Sequence, residues 1–247
     1  MDVYNDGNPV WFLVLCGVVL GCILAPVQCS SENVELPDPV WEKTYGGTRE
    51  DGAYAVVQGT EGGYLIAGFT TSFGAGGRDV YLVKVLHVRC AVLVWEKAYG
   101  GTGFDYADDI VSCSDGGYLI VGDTTSFGAG FYDIYLMKVD QNGSKLWEKT
   151  YGGIGNDLAR GVVQCSDGGY LIAGSNYSTG DFYLVKVDQN GSKLWEKTYG
   201  GTDSDVGHAV QCSDGGYLIA GQTSWGSYAD VYLVRVDQIG NKLWQQT

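Results

Sequence analysis

Proline is missing from most of this chain. Its four copies, Pro9, Pro26, Pro37 and Pro39, all fall in the first 39 residues. Proline cannot donate to a ladder, so a proline-free stretch suits strands with neighbours on both sides. Histidine is just as scarce, with only His87 and His208 present. Isolated imidazoles do not support a Ser-His-Asp arrangement. Basic residues number 15 against 29 acidic ones, for a formal charge of −14. Such a surface repels phosphate backbones and lacks the attraction that drives nonspecific nucleic-acid binding, so no nucleic-acid partner is expected. Helix formers are sparse, whereas glycine is abundant at 39 copies and tyrosine at 18. With 45% apolar residues to fill a core, that mix suits many short strands joined by tight turns.

The first segment stands apart. Val10 to Val27 carries no charge and contains Trp11-Phe12-Leu13-Val14-Leu15. It is long for a signal-peptide apolar region and just long enough to span a bilayer. The ten residues before it hold Asp2 and Asp6 but no Lys or Arg, an atypical start for a secretory signal. Residues 1–29 therefore read as a signal peptide or an N-terminal membrane anchor, and both imply export. Residues 30–40 read as an extended polar linker whose prolines disfavour helix. Residues 41–247 form the remaining domain.

That domain is repetitive. Lys145-Leu146-Trp147-Glu148-Lys149-Thr150-Tyr151-Gly152-Gly153 recurs almost letter for letter at Lys193 to Gly201, with weaker copies from Trp41 and Trp95 and a clipped one from Lys242 to Thr247. The five tryptophans lie 54, 52, 48 and 49 residues apart. A fixed period near fifty residues marks a repeat architecture. Each unit holds a short apolar run such as Ala107 to Cys113, then the turn Ser114-Asp115-Gly116-Gly117. A strand of the type Tyr64-Leu65-Ile66-Ala67-Gly68 follows, then a Gly-rich loop, then a strand of the type Asp79-Val80-Tyr81-Leu82-Val83-Lys84-Val85. Asp140-Gln141-Asn142-Gly143-Ser144 turns the chain into the tryptophan strand. Asp-Gly and Gly-Gly supply the positive φ angles that tight hairpins need.

Four short strands per fifty residues describe one propeller blade, which cannot bury both faces of its sheet alone. The expected fold is all-β: a β-propeller of about four four-stranded antiparallel blades behind a hydrophobic leader. The Trp-x-x-Thr-Tyr-Gly-Gly, Ser-Asp-Gly-Gly-Tyr-Leu-Ile-Ala-Gly and Asp-Val-Tyr-Leu-Val-Lys-Val-Asp elements resemble tandem repeats of secreted and cell-surface proteins of bacteria and archaea. Those proteins resemble kelch-type or quinoprotein-type β-propellers, most without an assigned activity. Two departures stand out. Leu86 to Val92 replaces the Asp-Gln-Asn-Gly turn of the first unit, and the last unit has one residue fewer between Asp205 and Tyr217. Either the Trp41 or the Trp244 strand can complete the final blade; an open array or a dimerised ring also fits.

Alternating strand direction sorts the loops onto two faces. The Gly-Gly-x-x-x-Asp and Thr-Ser-Phe-Gly-Ala-Gly loops share the longer, more variable one, where function usually sits. That face should carry Asp51, Asp105, Asp157 and Asp205, one per unit. They read either as residues holding adjacent blades together, or as calcium ligands or glycosidase carboxylates. A catalytic pair needs two different environments, which identical repeats do not provide. Asp79, Asp133, Asp181 and Asp230 read the same way.

Residues that differ between units are better ligand-binding candidates: Phe73, Phe127, Phe131, Tyr132, Tyr177, Trp225 and Tyr228. Their rings could line a sugar or peptide surface, or merely cover the blade rims. The tryptophans of the repeat should pack between blades. Cys113, Cys165 and Cys212 occupy one equivalent position without the paired spacing of zinc ligands and read as small buried fillers. No metal or other cofactor is expected. The expected function is an exported, non-enzymatic propeller binding carbohydrate or protein at the cell surface, touching membrane only through its N-terminal segment. The alternatives are a polysaccharide-acting hydrolase and a purely structural surface component.

Overall fold

The computed structural model describes residues 42–60, 62–87, 91–200, 204–225 and 228–247. The expected leader, the linker and Trp41 lie outside the described residues. What is described forms sixteen strands in four antiparallel sheets, each a simple meander. Blade 1 holds β1 (Asp51–Gln58), β2 (Tyr64–Thr70), β3 (Asp79–His87) and β4 (Ala91–Tyr99). Blade 2 holds β5 (Asp109–Ser112), β6 (Tyr118–Thr124), β7 (Asp133–Val139) and β8 (Lys145–Tyr151). Blade 3 holds β9 (Asp157–Gln164), β10 (Tyr170–Asn176), β11 (Asp181–Val187) and β12 (Lys193–Tyr199). Blade 4 holds β13 (Ser204–Gln211), β14 (Tyr217–Trp225), β15 (Tyr228–Val236) and β16 (Lys242–Gln246). The Trp244 strand thus completes the last sheet, while residues 42–47 join no strand.

The turns follow from their residues. In the β5–β6 hairpin the Cys113 N–H donates to the Gly117 carbonyl and the Gly116 N–H to that of Cys113. Gly116 adopts φ 82°, which a side chain would strain. The Asp140 carboxylate caps the β7–β8 turn, accepting the N–H groups of Asn142 at 2.9 Å and Ser144 at 2.7 Å. Both departures from the repeat have structural outcomes. Without the Asp-Gln-Asn-Gly turn, β3 and β4 run on through the pairs Leu86↔Val92 and His87↔Ala91. The residue missing from the last unit is a bulge residue. The inner ladders of blades 1 and 3 carry a register shift, and that of blade 4 does not.

Strand alternation gives each blade two apolar faces. In blade 2, Tyr118, Ile120, Tyr135, Met137 and Val139 pack onto Leu65, Ala67, Val80 and Leu82 of blade 1. On its other face, Leu119, Val121, Ile134 and Leu136 meet Tyr170, Ile172, Tyr183 and Val185 of blade 3. Blades 3 and 4 repeat this contact. Truncating one of these side chains, Leu136 to alanine for instance, would cost ~2–5 kcal/mol. The innermost strands β1, β5, β9 and β13 adjoin in succession, and the tryptophan strands lie outermost. Trp95, Trp147 and Trp195 are partly buried against these cores, each ring over the turn glycine of the next blade, Gly143, Gly191 or Gly240. From the outer strands, the Tyr151 hydroxyl donates to the Gly191 carbonyl at 2.6 Å and that of Tyr199 to Gly240 at 2.5 Å. Among the described residues no core joins blade 4 back to blade 1.

Candidate functional site

The carboxylates repeated in every unit are enclosed by donors. Asp51 accepts from the Gly47 N–H at 2.8 Å, the Ser72 hydroxyl at 2.8 Å and the Thr70 hydroxyl. Burial pushes its pKa up, but these donors outweigh burial and hold the group below the ordinary carboxylate value. Asp105, fully buried, repeats the arrangement with Gly101, Thr124 and Ser126. Asp157 uses the Gly153 N–H and the Asn176 amide, each at 2.7 Å; its burial, the larger effect, raises its pKa. In the second row, Asp79 and Asp133 each accept two backbone N–H groups from the Gly-rich loop before them. The two rows meet at the blade junctions. A Cβ on Gly152 would stand 2.3 Å from Asp133 and 2.7 Å from Asp157. These carboxylates fasten the loop entering a blade to the rim of that blade. Asp205 and Asp181 bracket Gly200 in the same way. Among the described residues no group of three or more His, Cys, Asp or Glu side chains could hold a metal ion.

The seven loop aromatics divide. Phe73 lies 5.8 Å from Tyr81 of its own blade, and Phe127 stacks 5.7 Å from Tyr135 in the equivalent place. Both rings sit over a glycine of the entering loop, Gly47 or Gly101, as rim covers do. Phe131 is 78% exposed and Tyr177 51%. Trp225 and Tyr228 pair through their backbones at the tip of the β14–β15 hairpin, and their side chains lie outside the described residues. Of those whose side chains are described, Tyr132 joins a larger cluster.

That cluster occupies the inner ends of blades 1, 2 and 3. The Arg78 guanidinium lies 4.4 Å from the Phe69 ring centroid and 5.6 Å from that of Tyr106, donates to the Tyr106 hydroxyl at 3.3 Å, and pairs with Glu50 at 2.8 Å. Tyr54 lies 5.6 Å from Phe69, Tyr106 lies 6.0 Å from it, and Tyr54 is 55% exposed. Burial and then the hydrogen-bonded Tyr106 push the Tyr132 phenol up, and Asp123 adds to the rise. Asp123, on β6, is buried and accepts the Ala159 N–H of blade 3 at 2.7 Å. Burial, then the neighbouring Asp108, pushes its pKa up to about 8, against the pull of that N–H and of Arg160. Asp108 itself is pushed up to about 6, by burial and then Asp109, with Arg160 opposing. One Asp108 oxygen, buried, has no hydrogen-bond partner among the described residues. Beyond it, Asp109 accepts the Val162 N–H at 2.9 Å, near the exposed His208.

The arrangement is an aromatic and guanidinium wall beside two raised carboxyls, of which Asp123, at about 8, holds its proton at neutral pH while Asp108, at about 6, is mostly ionised. A protonated carboxyl donates a hydrogen bond where a carboxylate only accepts. The loop-based search missed Tyr54, Phe69, Asp108, Asp123 and Arg160, although the signal was present. Equivalent positions read Tyr54, Asp108 and Arg160 on the first strand or directly before it, and Phe69, Asp123, Ser175 and Gln222 on the second. Units that otherwise copy one another diverge at these strand positions.

Residues 113–145 match a family described as "Domain of unknown function (DUF5122) beta-propeller". The match and the four successive meanders agree on a β-propeller repeat. No curated protein matches the chain. Among solved structures, endo-1,5-alpha-L-arabinanase from Thermotoga petrophila RKU-1 superposes with a TM-score of 0.43 at 13% identity, over 76% of this chain and 57% of that one. No activity is inferred from so distant a likeness.

Proposed function

We propose that this chain is an exported, non-enzymatic β-propeller that binds a carbohydrate at the inner, loop-bearing end of its blades. The supporting observation is the convergence of Phe69, Tyr106, Tyr132 and Arg78 on the Asp108–Asp123 pair. Aromatic faces offer rigid stacking area to a sugar ring, and the protonated and ionised carboxyls together supply donors and acceptors for its hydroxyls. A protein ligand is the alternative occupant of the same surface. Export rests on the uncharged Val10 to Val27 segment, which gives a place at the cell surface and contact with membrane only through that segment. The charge of −14 speaks against a nucleic-acid partner.

A glycan array followed by calorimetry tests the reading. Wild-type protein should bind a glycan, Tyr106→Ala should weaken it ~10-fold or more, and Phe131→Ala should leave it unchanged. Silence on the array, or binding indifferent to Tyr106→Ala, would contradict it; a protein captured instead would favour the alternative occupant. The raised Asp108 and Asp123 also favour a second reading, acid–base hydrolysis of a polysaccharide. Release of reducing ends by wild type but not by Asp123→Asn would mark that case.

A further inference from the structure

The outward face of blade 4 is a copy of a face that the chain covers three times over. In blades 1, 2 and 3 the residues Leu65, Val80, Leu119, Ile134, Leu171 and Phe182 are all fully buried by the blade that follows. Their counterparts in blade 4 are Leu218 and Val231, of which Leu218 is half-buried and Val231 68% exposed. Among the described residues neither belongs to a buried core. The edge of the same blade is also short of a partner. In blade 3 the outer strand pairs Thr198 with Tyr183 and Tyr199 with Phe182, and in blade 2 it pairs Thr150 with Tyr135 and Tyr151 with Ile134. In blade 4 the ladder runs to Leu233↔Gln246, and among the described residues Val231 and Tyr232 have no outer-strand partner.

The missing pieces are present at the other end of the chain. Glu42-Lys43-Thr44-Tyr45-Gly46-Gly47 repeats Glu196 to Gly201 letter for letter, yet residues 42–47 join no sheet. Tyr45 packs on Tyr81, Val83 and Val85 of blade 1, much as Tyr99 packs at the junction of blades 1 and 2. That face of blade 1 is the kind that covers the preceding blade elsewhere. Its Tyr64 and Ile66 are only half-buried, whereas Tyr118, Ile120, Tyr170 and Ile172 are buried, and a cavity of about 260 Å³ lies against it.

We propose that blade 4 of one chain docks blade 1 of a second copy. The second copy's Thr44 and Tyr45 extend the outer strand beside Tyr232 and Val231, and its Tyr64–Ile66 face covers Leu218 and Val231. Among the described residues blade 1 of the same chain shares no core with blade 4, and the exposed blade 1 face that matches it is taken from a second copy. The contact is head-to-tail, and two copies closing on each other give eight blades, the upper end of the usual range.

Sedimentation velocity on the full chain in mild detergent, corrected for bound detergent, tests this. The wild type at tens of micromolar should run at twice its 26.5 kDa mass or a higher multiple. Val231→Asp buries a charge only in the assembly, so it should weaken association ~10-fold or more while the monomer's circular dichroism stays unchanged. Thr44→Pro, on the opposite surface, should do the same by removing a ladder N–H. A wild-type monomer throughout that range, or an oligomer that neither substitution weakens, would overturn the proposal.

Discussion

Asp105 and Asp123 belong to the same blade and both are buried, yet their surroundings differ. Asp105 receives the Gly101 N–H and the hydroxyls of Thr124 and Ser126. Asp123 receives one backbone N–H, lies near a second carboxyl, and holds its proton up to about pH 8. Asp51, the copy of Asp105 in blade 1, has the same set of donors and is held below the ordinary value. Asp51 and Asp105, whose donors are copied with them from blade 1 to blade 2, fasten a loop to a blade. An aspartate placed where the units diverge is left with an unbalanced environment, and such imbalance is what binding and proton transfer use.

The strongest attack on this comparison is Asp105→Ala. It strands three donors in a buried place and should cost ~3 kcal/mol in denaturant unfolding while sparing any ligand binding of the folded fraction. A cost below ~0.5 kcal/mol would show that the enclosed carboxylates do not hold the blades.

The pH dependence of stability sharpens the other half. Asp108 and Asp123 are raised in the folded state, so above about pH 5, clear of the carboxylates that are lowered, and up to about pH 8 these two groups bind more protons in the folded chain than in the unfolded one. Stability must then fall as pH rises through that window. The Tm should drop by ~5 °C between pH 5 and 9, and Asp123→Asn should flatten the slope. A Tm that instead rises with pH would reverse the assignment.

The smallest effect belongs to the junctions. Tyr151→Phe removes one buried hydroxyl bond to the Gly191 carbonyl and should cost ~1 kcal/mol, matched by Tyr199→Phe at the next junction. Unequal costs would mean that the junctions are not equivalent.

Much of the fold was legible in the sequence because strand alternation, Asp-Gly-Gly turns and the fifty-residue spacing all point one way. The Trp147 and Trp195 rings pack between blades as their repetition suggested. Which tryptophan strand completes the last blade was not legible, since Glu42 to Tyr45 and Lys242 to Thr247 both fit the pattern. Pairing chose the second. That no core among the described residues joins blade 4 to blade 1 is a property of sheet packing that no single unit reveals. For the proposed site, loop length pointed to the face that carries Tyr132. Asp123 was overlooked because it sits within β6, and Asp108 because it directly precedes β5, where apolar alternation draws attention away from the divergent position. Their meaning depends on Ala159 and Arg160, more than thirty residues away, being brought alongside.

Carboxyl-carbon NMR titration of aspartate-labelled protein, with Asp51→Asn and Asp123→Asn used to assign the two signals, tests the central claim most directly. The Asp51 signal should titrate below the ordinary carboxylate value, and that of Asp123 should move near pH 8. Both signals moving together near pH 4 would contradict the account.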